Sequence, residues 1–309
     1  MKKEKLNNLK TENLISVIMI TYGHENYLKQ AIEGVLMQVC DYRIELIVSD
    51  DESPDKTEEV VLDLIKNHEN GQWIKYTRHK NNKGLISNFQ WAINQGKGKY
   101  IAICEGDDYW TNPHKLQKQI DFLEANEDYA LSCHNALKLY MGAEKEKELF
   151  TNLKENTDIS LDQIVNSWIM PTGSFVFRKE LITPLPEWYS KIYSGDLSLA
   201  LILRHSGKVY FFSEAMSIYR INLIGSSASA TYGKSLLFVR RQHKLLFEYY
   251  NEWTNFKYNQ LIISKLKKLQ KEIKFLELKE QGVNKAILKM PITSIKRIIS
   301  SLLYKFKMK

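Results

Sequence analysis

Cysteine is scarce in this sequence, and no long apolar run is present. Three cysteines, Cys40, Cys104 and Cys133, are spread over 309 residues at spacings that match neither a zinc site nor a redox pair. That excludes a disulfide scaffold. Cys104 and Cys133 lie inside apolar segments and read as buried free thiols of a reducing compartment. No stretch approaches the roughly 18–20 apolar residues of a membrane-spanning helix. The apolar segment Leu14–Ile20, which follows a Met1-Lys2-Lys3 start, is short and lacks a small-residue cleavage site, so a secretory signal is not expected. Neither a GxGxxG nor a GxxxxGK[ST] run occurs, which removes the usual dinucleotide and P-loop signatures. Repeats and low-complexity segments are missing as well. The expectation is a protein kept in the cytoplasm, touching a membrane at most peripherally on its inner face.

What is present is ordinary globular material: 44% hydrophobic and 26% charged residues, enough for one large α/β domain with an appendage. The net charge of +8 is unevenly placed. Residues 255–309 carry 14 Lys or Arg against 3 Glu, which leaves the preceding 254 residues at −3. Basic character therefore belongs to the tail, which argues against nucleic-acid binding by the main domain and points to an anionic partner surface near the C-terminus. From about Lys234 the chain reads as helical throughout. Its last segment sets Ile295, Ile298, Ile299, Leu302, Leu303 and Phe306 on one helical face, with Lys296, Arg297, Lys305 and Lys307 elsewhere and Pro291 near the start. Such a basic amphipathic helix suits an anionic membrane, or packs on the body or on a partner.

The first half alternates strand and helix patterns. Apolar runs at 16–20, 44–48, 73–77 and 100–104 read as buried strands, and 25–37, 56–67 and 86–93 as amphipathic helices between them. That alternation predicts a mostly parallel, doubly wound sheet. Further on, a helix is expected at 114–124, a strand at 130–133, a surface loop over 142–158, a strand at 174–177, a buried helix at 197–203, and two short strands at 209–212 and 216–219. In such sheets the ligand sits beyond the carboxyl ends of the strands, and three polar clusters fall there. Thr21-Tyr22 follows the first strand, Asp50-Asp51 the second, and Glu105-Gly106-Asp107-Asp108 the fourth.

Three carboxylates crowded at one strand end repel unless a cation neutralises them. Mg²⁺ and Mn²⁺ take oxygen ligands, typically one or two carboxylates with substrate phosphates, and balance charge on a departing diphosphate. The alternative is an acidic turn capping the next helix. Asp50 and Asp51 could bind a second metal, accept from a base N–H or ribose hydroxyls, or cap a helix. Thr21 and Tyr22 offer a hydroxyl and an aromatic face. The basic loop Arg78–Gly84 suits a diphosphate or is simply solvated. Asp196, opening an otherwise apolar helix, is either a cap or a base placed to take a proton from an acceptor hydroxyl. Trp110, Trp168 and Met170 either shape a pocket or fill the core.

Taken in order, Ser16-Val-Ile-Met-Ile-Thr-Tyr22, Ile47-Val-Ser-Asp-Asp51, Asn81-Asn-Lys-Gly84 and Tyr100-Ile-Ala-Ile-Cys-Glu-Gly-Asp-Asp-Tyr-Trp110, with Lys115-Leu-Gln-Lys-Gln-Ile-Asp-Phe-Leu123, closely resemble the family 2 glycosyltransferases of bacteria. The resemblance covers about residues 14–225. It implies a GT-A fold, a divalent metal (Mn²⁺ or Mg²⁺), and a nucleotide-sugar donor, most often UDP-linked. It further implies that Thr21, Tyr22 and Asp51 hold the nucleoside, with Lys83 near the nucleotide. Asp107 and Asp108 match the acidic metal motif, Glu105 stands at its first acidic position, and Asp196 matches the catalytic base. Gly23 stands where many members carry Asn, and Glu105 replaces an Asp. The segment from Tyr219-Arg220 to Gly225-Ser226-Ser227 is similar to the late loop that closes over the diphosphate.

The expectation is an inverting, metal-dependent transferase that builds a surface polysaccharide on a glycan or lipid-linked acceptor. Its parts are an N-terminal extension (1–13), a GT-A domain (14–230) and a helical basic tail (231–309). Two other classes fit less of the pattern. A nucleotidyltransferase usually carries a glycine-rich phosphate loop near the first strand, where only Gly23 stands. A non-catalytic sugar-nucleotide-binding partner in an assembly complex would keep the fold but would not need Asp196.

Overall fold

A computed structural model describes residues 14–142, 146–221 and 235–280. The chain divides into two units, Met1–Gly233 and Lys234–Lys309. The first unit is built on a mixed sheet that opens with β1 (Leu14–Thr21), β2 (Arg43–Asp50), β3 (Ile74–Arg78) and β4 (Tyr100–Ile103). These four pair in parallel in the order β3-β2-β1-β4. Their near-continuous apolar runs reflect burial on both faces. Ile15, Val17 and Met19 of β1 meet α1 (Leu28–Leu36) and α2 (Thr57–Asn67) in one core cluster. On the other side α3 (Leu85–Gln95) packs on β1 and β2 through buried Phe89, Ala92 and Ile93.

Beyond β4 come β5 (Tyr109–Trp110), α4 (Lys115–Ala125), β6 (Tyr129–Tyr140), β7 (Glu148–Leu149), β8 (Thr157–Asp158), α5 (Leu161–Asn166), β9 (Val176–Arg178), α6 (Gly195–Ser206) and β10 (Lys208–Ile221). The sheet continues β4-β9-β6-β10-β5. Strand β9 is antiparallel to both β4 and β6, and β6 is parallel to β10. Strands β6 and β10 therefore run in the same sense as β1–β4, and all their carboxyl ends open on one rim.

Sequence and structure differ in three places. Residues 208–221 form one strand where two were expected, because register shifts at Phe212/Ala215 and Ala215/Ser217 carry the polar Ser213-Glu214 without ending the ladder. Such bulges bend a strand, and β10 pairs with β8 through its first half and with β5 through its second. The stretch expected as a plain loop contains β7 and β8, two residues each and so without a periodic signal. The tail is not helical throughout. In the second unit, α7 (Leu236–Trp253) and α8 (Asn259–Glu280) are separated by a turn in which Asn255 and Phe256 take φ of 48° and 59°. Arg240–Glu272 and Arg241–Glu277 ion pairs at 2.6 and 2.8 Å join the two helices. The basic helix expected at 291–309 and the loop expected at Gly225-Ser226-Ser227 lie outside the described residues.

Candidate active site

Successive residues at a strand end point opposite ways, and this splits the Asp50-Asp51 pair. Asp50 is fully buried; its oxygens accept from the Ser53 amide (2.7 Å) and the Tyr76 hydroxyl (2.7 Å). Asp50, expected among the nucleotide-binding residues, thus bonds to the turn after β2 and to β3. Asp51 faces the rim. Its two oxygens accept from the amides of Lys83 (2.7 Å) and Gly84 (2.9 Å), fastening the 79–84 loop over β2. Gly84 adopts φ +81°, a region open to glycine without strain. Lys83 reaches this clasp through its backbone, and its side chain is exposed.

Beneath the loop lies a buried network with no sequence signature. Ser49 Oγ donates to Asn88 Oδ1 (2.5 Å) and lies 3.0 Å from His79 Nε2, and Asn88 Nδ2 donates to the Ser49 carbonyl (3.1 Å). The Trp91 ring stands edge-on to His79 at 4.6 Å. This ties β2, the loop and α3 into one support for Asp51.

Thr21, the last residue of β1, buries an Oγ1, and His24 a few residues on buries an Nδ1, neither with a hydrogen-bond partner among the described residues. Buried polar atoms are normally satisfied, and these two lie at the rim, where a ligand could reach them. Tyr22 between them is 47% exposed. The Glu105–Asp108 turn passes against this corner, since a Cβ on Gly106 would stand 2.9 Å from His24 Nδ1. His24 was not singled out from sequence, because a lone histidine beside a glycine carries no pattern.

The acidic turn is a strained electrostatic environment. Burial, then Asp107 and Asp196, push the Glu105 carboxyl up to about 8. Burial, Asp107 and Glu105 hold Asp108 well above the ordinary carboxyl range, against the pull of the Arg220 amide and guanidinium. Asp196, on the first turn of α6, is raised by burial although it accepts the Leu197 amide at 2.7 Å. The fold thus brings Asp196, distant in sequence, within the field of Glu105 in the acidic turn. Asp196 is not the helix N-cap; Ser194 holds that position.

Arg220, near the end of β10, joins this turn to the rest of the rim. Its amide donates to Asp108 Oδ1 (2.7 Å), its Nη1 to the Asp107 carbonyl (2.7 Å) and its Nη2 to Gln30 Oε1. The guanidinium lies 4.5 Å from the Tyr109 ring and 5.4 Å from that of Tyr27.

Among the described residues no three His, Cys, Asp or Glu side chains converge closely enough to cage a metal. The expectation that Glu105, Asp107 and Asp108 act together as a ligand set therefore does not correspond to a preformed site. One of Asp108's oxygens is already engaged by Arg220. The crowded carboxylates nevertheless fit a hard cation completed by phosphate oxygens, the usual manner for Mg²⁺. Trp110 and Met170 are core, at 2% and 0% exposure, whereas Trp168 is 37% exposed.

Comparison with known proteins follows the same lines. The family model described as "Glycosyl transferase family 2" matches residues 16–183. Proteins of Mycobacterium tuberculosis and Mycobacterium bovis are 28% identical over 239 residues, covering 74% of this chain and 65% of theirs. The chain thus spans just under two thirds of the length of these relatives. A Campylobacter jejuni GalNAc(5)-diNAcBac-PP-undecaprenol β-1,3-glucosyltransferase is 28% identical over 211 residues, covering 67% of this chain and 64% of that one. Among solved structures, S. aureus TarS in complex with UDP aligns over 92% of this chain and 78% of its own, with TM-score 0.58 and 16% identity. The mannosyltransferase PcManGT of Pyrobaculum calidifontis, in complex with GDP-Man and Mn²⁺, aligns over 96% and 82% with TM-score 0.59 and 12% identity. These likenesses show the fold, a curled and mostly parallel GT-A type sheet. The chain belongs to glycosyl transferase family 2.

Proposed function

We propose that this protein is an inverting glycosyltransferase that moves a sugar from a nucleoside diphosphate, UDP-linked by preference, to a hydroxyl of a glycan or lipid-linked acceptor in surface polysaccharide synthesis. The observation that carries the reading is the acidic turn after β4, with Asp196 of α6 in the field of Glu105, beside Thr21 Oγ1 and His24 Nδ1, which have no partner among the described residues. Thr21, Tyr22 and Asp51 hold the nucleoside, and Lys83 lies near the phosphates. Asp107 and Asp108 would hold a Mn²⁺ or Mg²⁺ together with the diphosphate, and the cation would supply charge compensation for the departing group. Glu105 completes the acidic environment.

Asp196 takes the proton of the acceptor hydroxyl as its oxygen bonds to the sugar's anomeric carbon and the bond to the diphosphate breaks. Burial keeps this carboxyl more basic than an exposed one. A base that acts in a single displacement gives inversion. Asp196→Asn keeps the shape and removes the base: transfer falls at least 10²-fold, within the usual worth of a general base, while donor binding measured by calorimetry is unchanged. Unaltered turnover in Asp196→Asn would rule out this role.

The body (14–230) and the basic tail (231–309) divide the work. The body performs transfer, and the tail holds the enzyme on an anionic inner membrane face, where a lipid-linked acceptor is concentrated. Support comes from composition and from the described helices, none of which is long and apolar enough to cross a membrane. Deleting residues 291–309 releases the protein from anionic vesicles and leaves transfer to a soluble acceptor intact.

A further inference from the structure

The loop clasped by Asp51 and the helix that carries Asp196 meet at one residue, Gly195. Ile86, on the first turn of α3, lies between two anchors. Two residues before it, the Gly84 amide donates to Asp51 Oδ2 (2.9 Å). Two residues after it, Asn88 is buried in its bonds to Ser49 and His79. The place of Ile86 is therefore set by the loop over β2.

From there the Ile86 side chain reaches α6. A Cβ on Gly195 would stand 2.7 Å from Ile86 Cδ1 and 3.1 Å from Tyr189 Oη, so only a hydrogen fits between them. Tyr189 is fully buried in the short 3₁₀ turn Glu187–Lys191. It closes the other side and donates from Oη to the Gly195 carbonyl (3.2 Å). Glycine is a poor helix former. It opens α6 here because the backbone must pass this closely between two side chains.

Asp196 comes next in the chain and is half-buried. Its carboxylate accepts from the Leu197 amide of its own helix (2.7 Å). Among the described residues no side chain of another element hydrogen-bonds it, so where α6 begins decides where this carboxylate stands. We infer that Ile86 and Tyr189, gripping Gly195, are positioning residues that hold the first turn of α6 in register with the loop over β2 and thereby place Asp196. This rests on the reading of Asp196 as the base, and it gives a role to two side chains that touch neither donor nor acceptor. A reacting group misplaced by about 1 Å can lose on the order of 10²-fold in rate. Donor binding, assigned to Thr21, Tyr22 and Asp51, does not depend on the start of α6.

The test uses the full chain as Ile86→Ala, the conservative Ile86→Leu and Tyr189→Phe, with Asp196→Asn as reference. Three quantities are read on each: UDP affinity with Mn²⁺ by calorimetry, diphosphate release from the sugar nucleotide that the wild type hydrolyses, and amide hydrogen exchange along α6. In Ile86→Ala, release falls tenfold or more and the Leu197 and Ser198 amides exchange at least tenfold faster, while UDP affinity and the later turns of α6 keep their wild-type values. Tyr189→Phe moves release and exchange in the same direction, and Ile86→Leu recovers both. Wild-type release or wild-type exchange at Leu197 and Ser198 in Ile86→Ala overturns the positioning role. A parallel loss of UDP affinity overturns it too, since general loosening of the loop would give that result. Asp196→Asn working at the wild-type rate overturns instead the base reading on which this role rests.

Discussion

Lys115 offers a sharp test of how this fold is held together beneath its acidic turn. The side chain is fully buried, its Nζ has no hydrogen-bond partner among the described residues, and it lies 4.0 Å from the centre of the Trp110 ring. Burial pulls its pKa from 10.5 to about 7, with Cys104 and Cys133 pulling weakly the other way. Between pH 7 and 10.5 the unfolded chain carries a proton that the folded one has lost, so stability rises with pH across that window. Below pH 7 the charged amine sits in the core. At about 1.36 kcal/mol per pKa unit, the charge then opposes folding by up to ~5 kcal/mol. The attraction to the Trp110 ring, about 2 kcal/mol when desolvated, offsets part of this. Lys115→Met fills nearly the same volume without the charge. It should stabilise the protein by about 3 kcal/mol at pH 6 and by less at pH 9.5. Urea unfolding at both pH values measures this directly. A variant less stable than wild type at pH 6, or a gain that does not shrink as pH rises, would refute the reasoning.

Three further perturbations have clear expected outcomes. Asn88→Ala leaves Ser49 and His79 without their buried partner and should cost about 1–3 kcal/mol; it should also weaken donor binding, as read by thermal unfolding and calorimetry. Gly106→Ala drives a Cβ to 2.9 Å from His24 Nδ1 and 3.0 Å from the Ile20 carbonyl, so the unfolding midpoint should drop by the equivalent of about 1–3 kcal/mol. Arg220→Ala removes the guanidinium bonds to the Asp107 carbonyl and Gln30; Mn²⁺-dependent UDP binding should weaken about tenfold, with little change in secondary structure by circular dichroism.

Strands β1, β2 and β4 were legible because burial on both faces makes each a continuous apolar run, and the helices between them because their apolar residues recur at helical spacing. The polar clusters after those strands were legible for the same reason, since a strand's end is where its apolar run stops. Which way each residue faces was not. Asp50 and Asp51 are adjacent and chemically identical, and only the pleat sends one to Tyr76 and the other to the Lys83 and Gly84 amides. The Ser49–His79–Asn88 network joins residues 9 to 39 positions apart, and Arg220 reaches Asp108 across 112 positions. Such links follow from the order of strands in the sheet, which no local pattern encodes. Strand β10 read as two because the polar Ser213-Glu214 bulge looks like a turn.

The central claim is that the rim between Thr21, Asp51 and the Glu105–Asp108 turn binds and activates a sugar nucleotide with a divalent metal. Release of nucleoside diphosphate from a panel of sugar nucleotides, with Mn²⁺ or with EDTA, tests it on wild type and Asp107→Ala, with donor binding read in the same samples. The account predicts slow hydrolysis of one donor that disappears in EDTA and in the variant. Failure of the wild type to bind any sugar nucleotide in the presence of Mn²⁺ would contradict it.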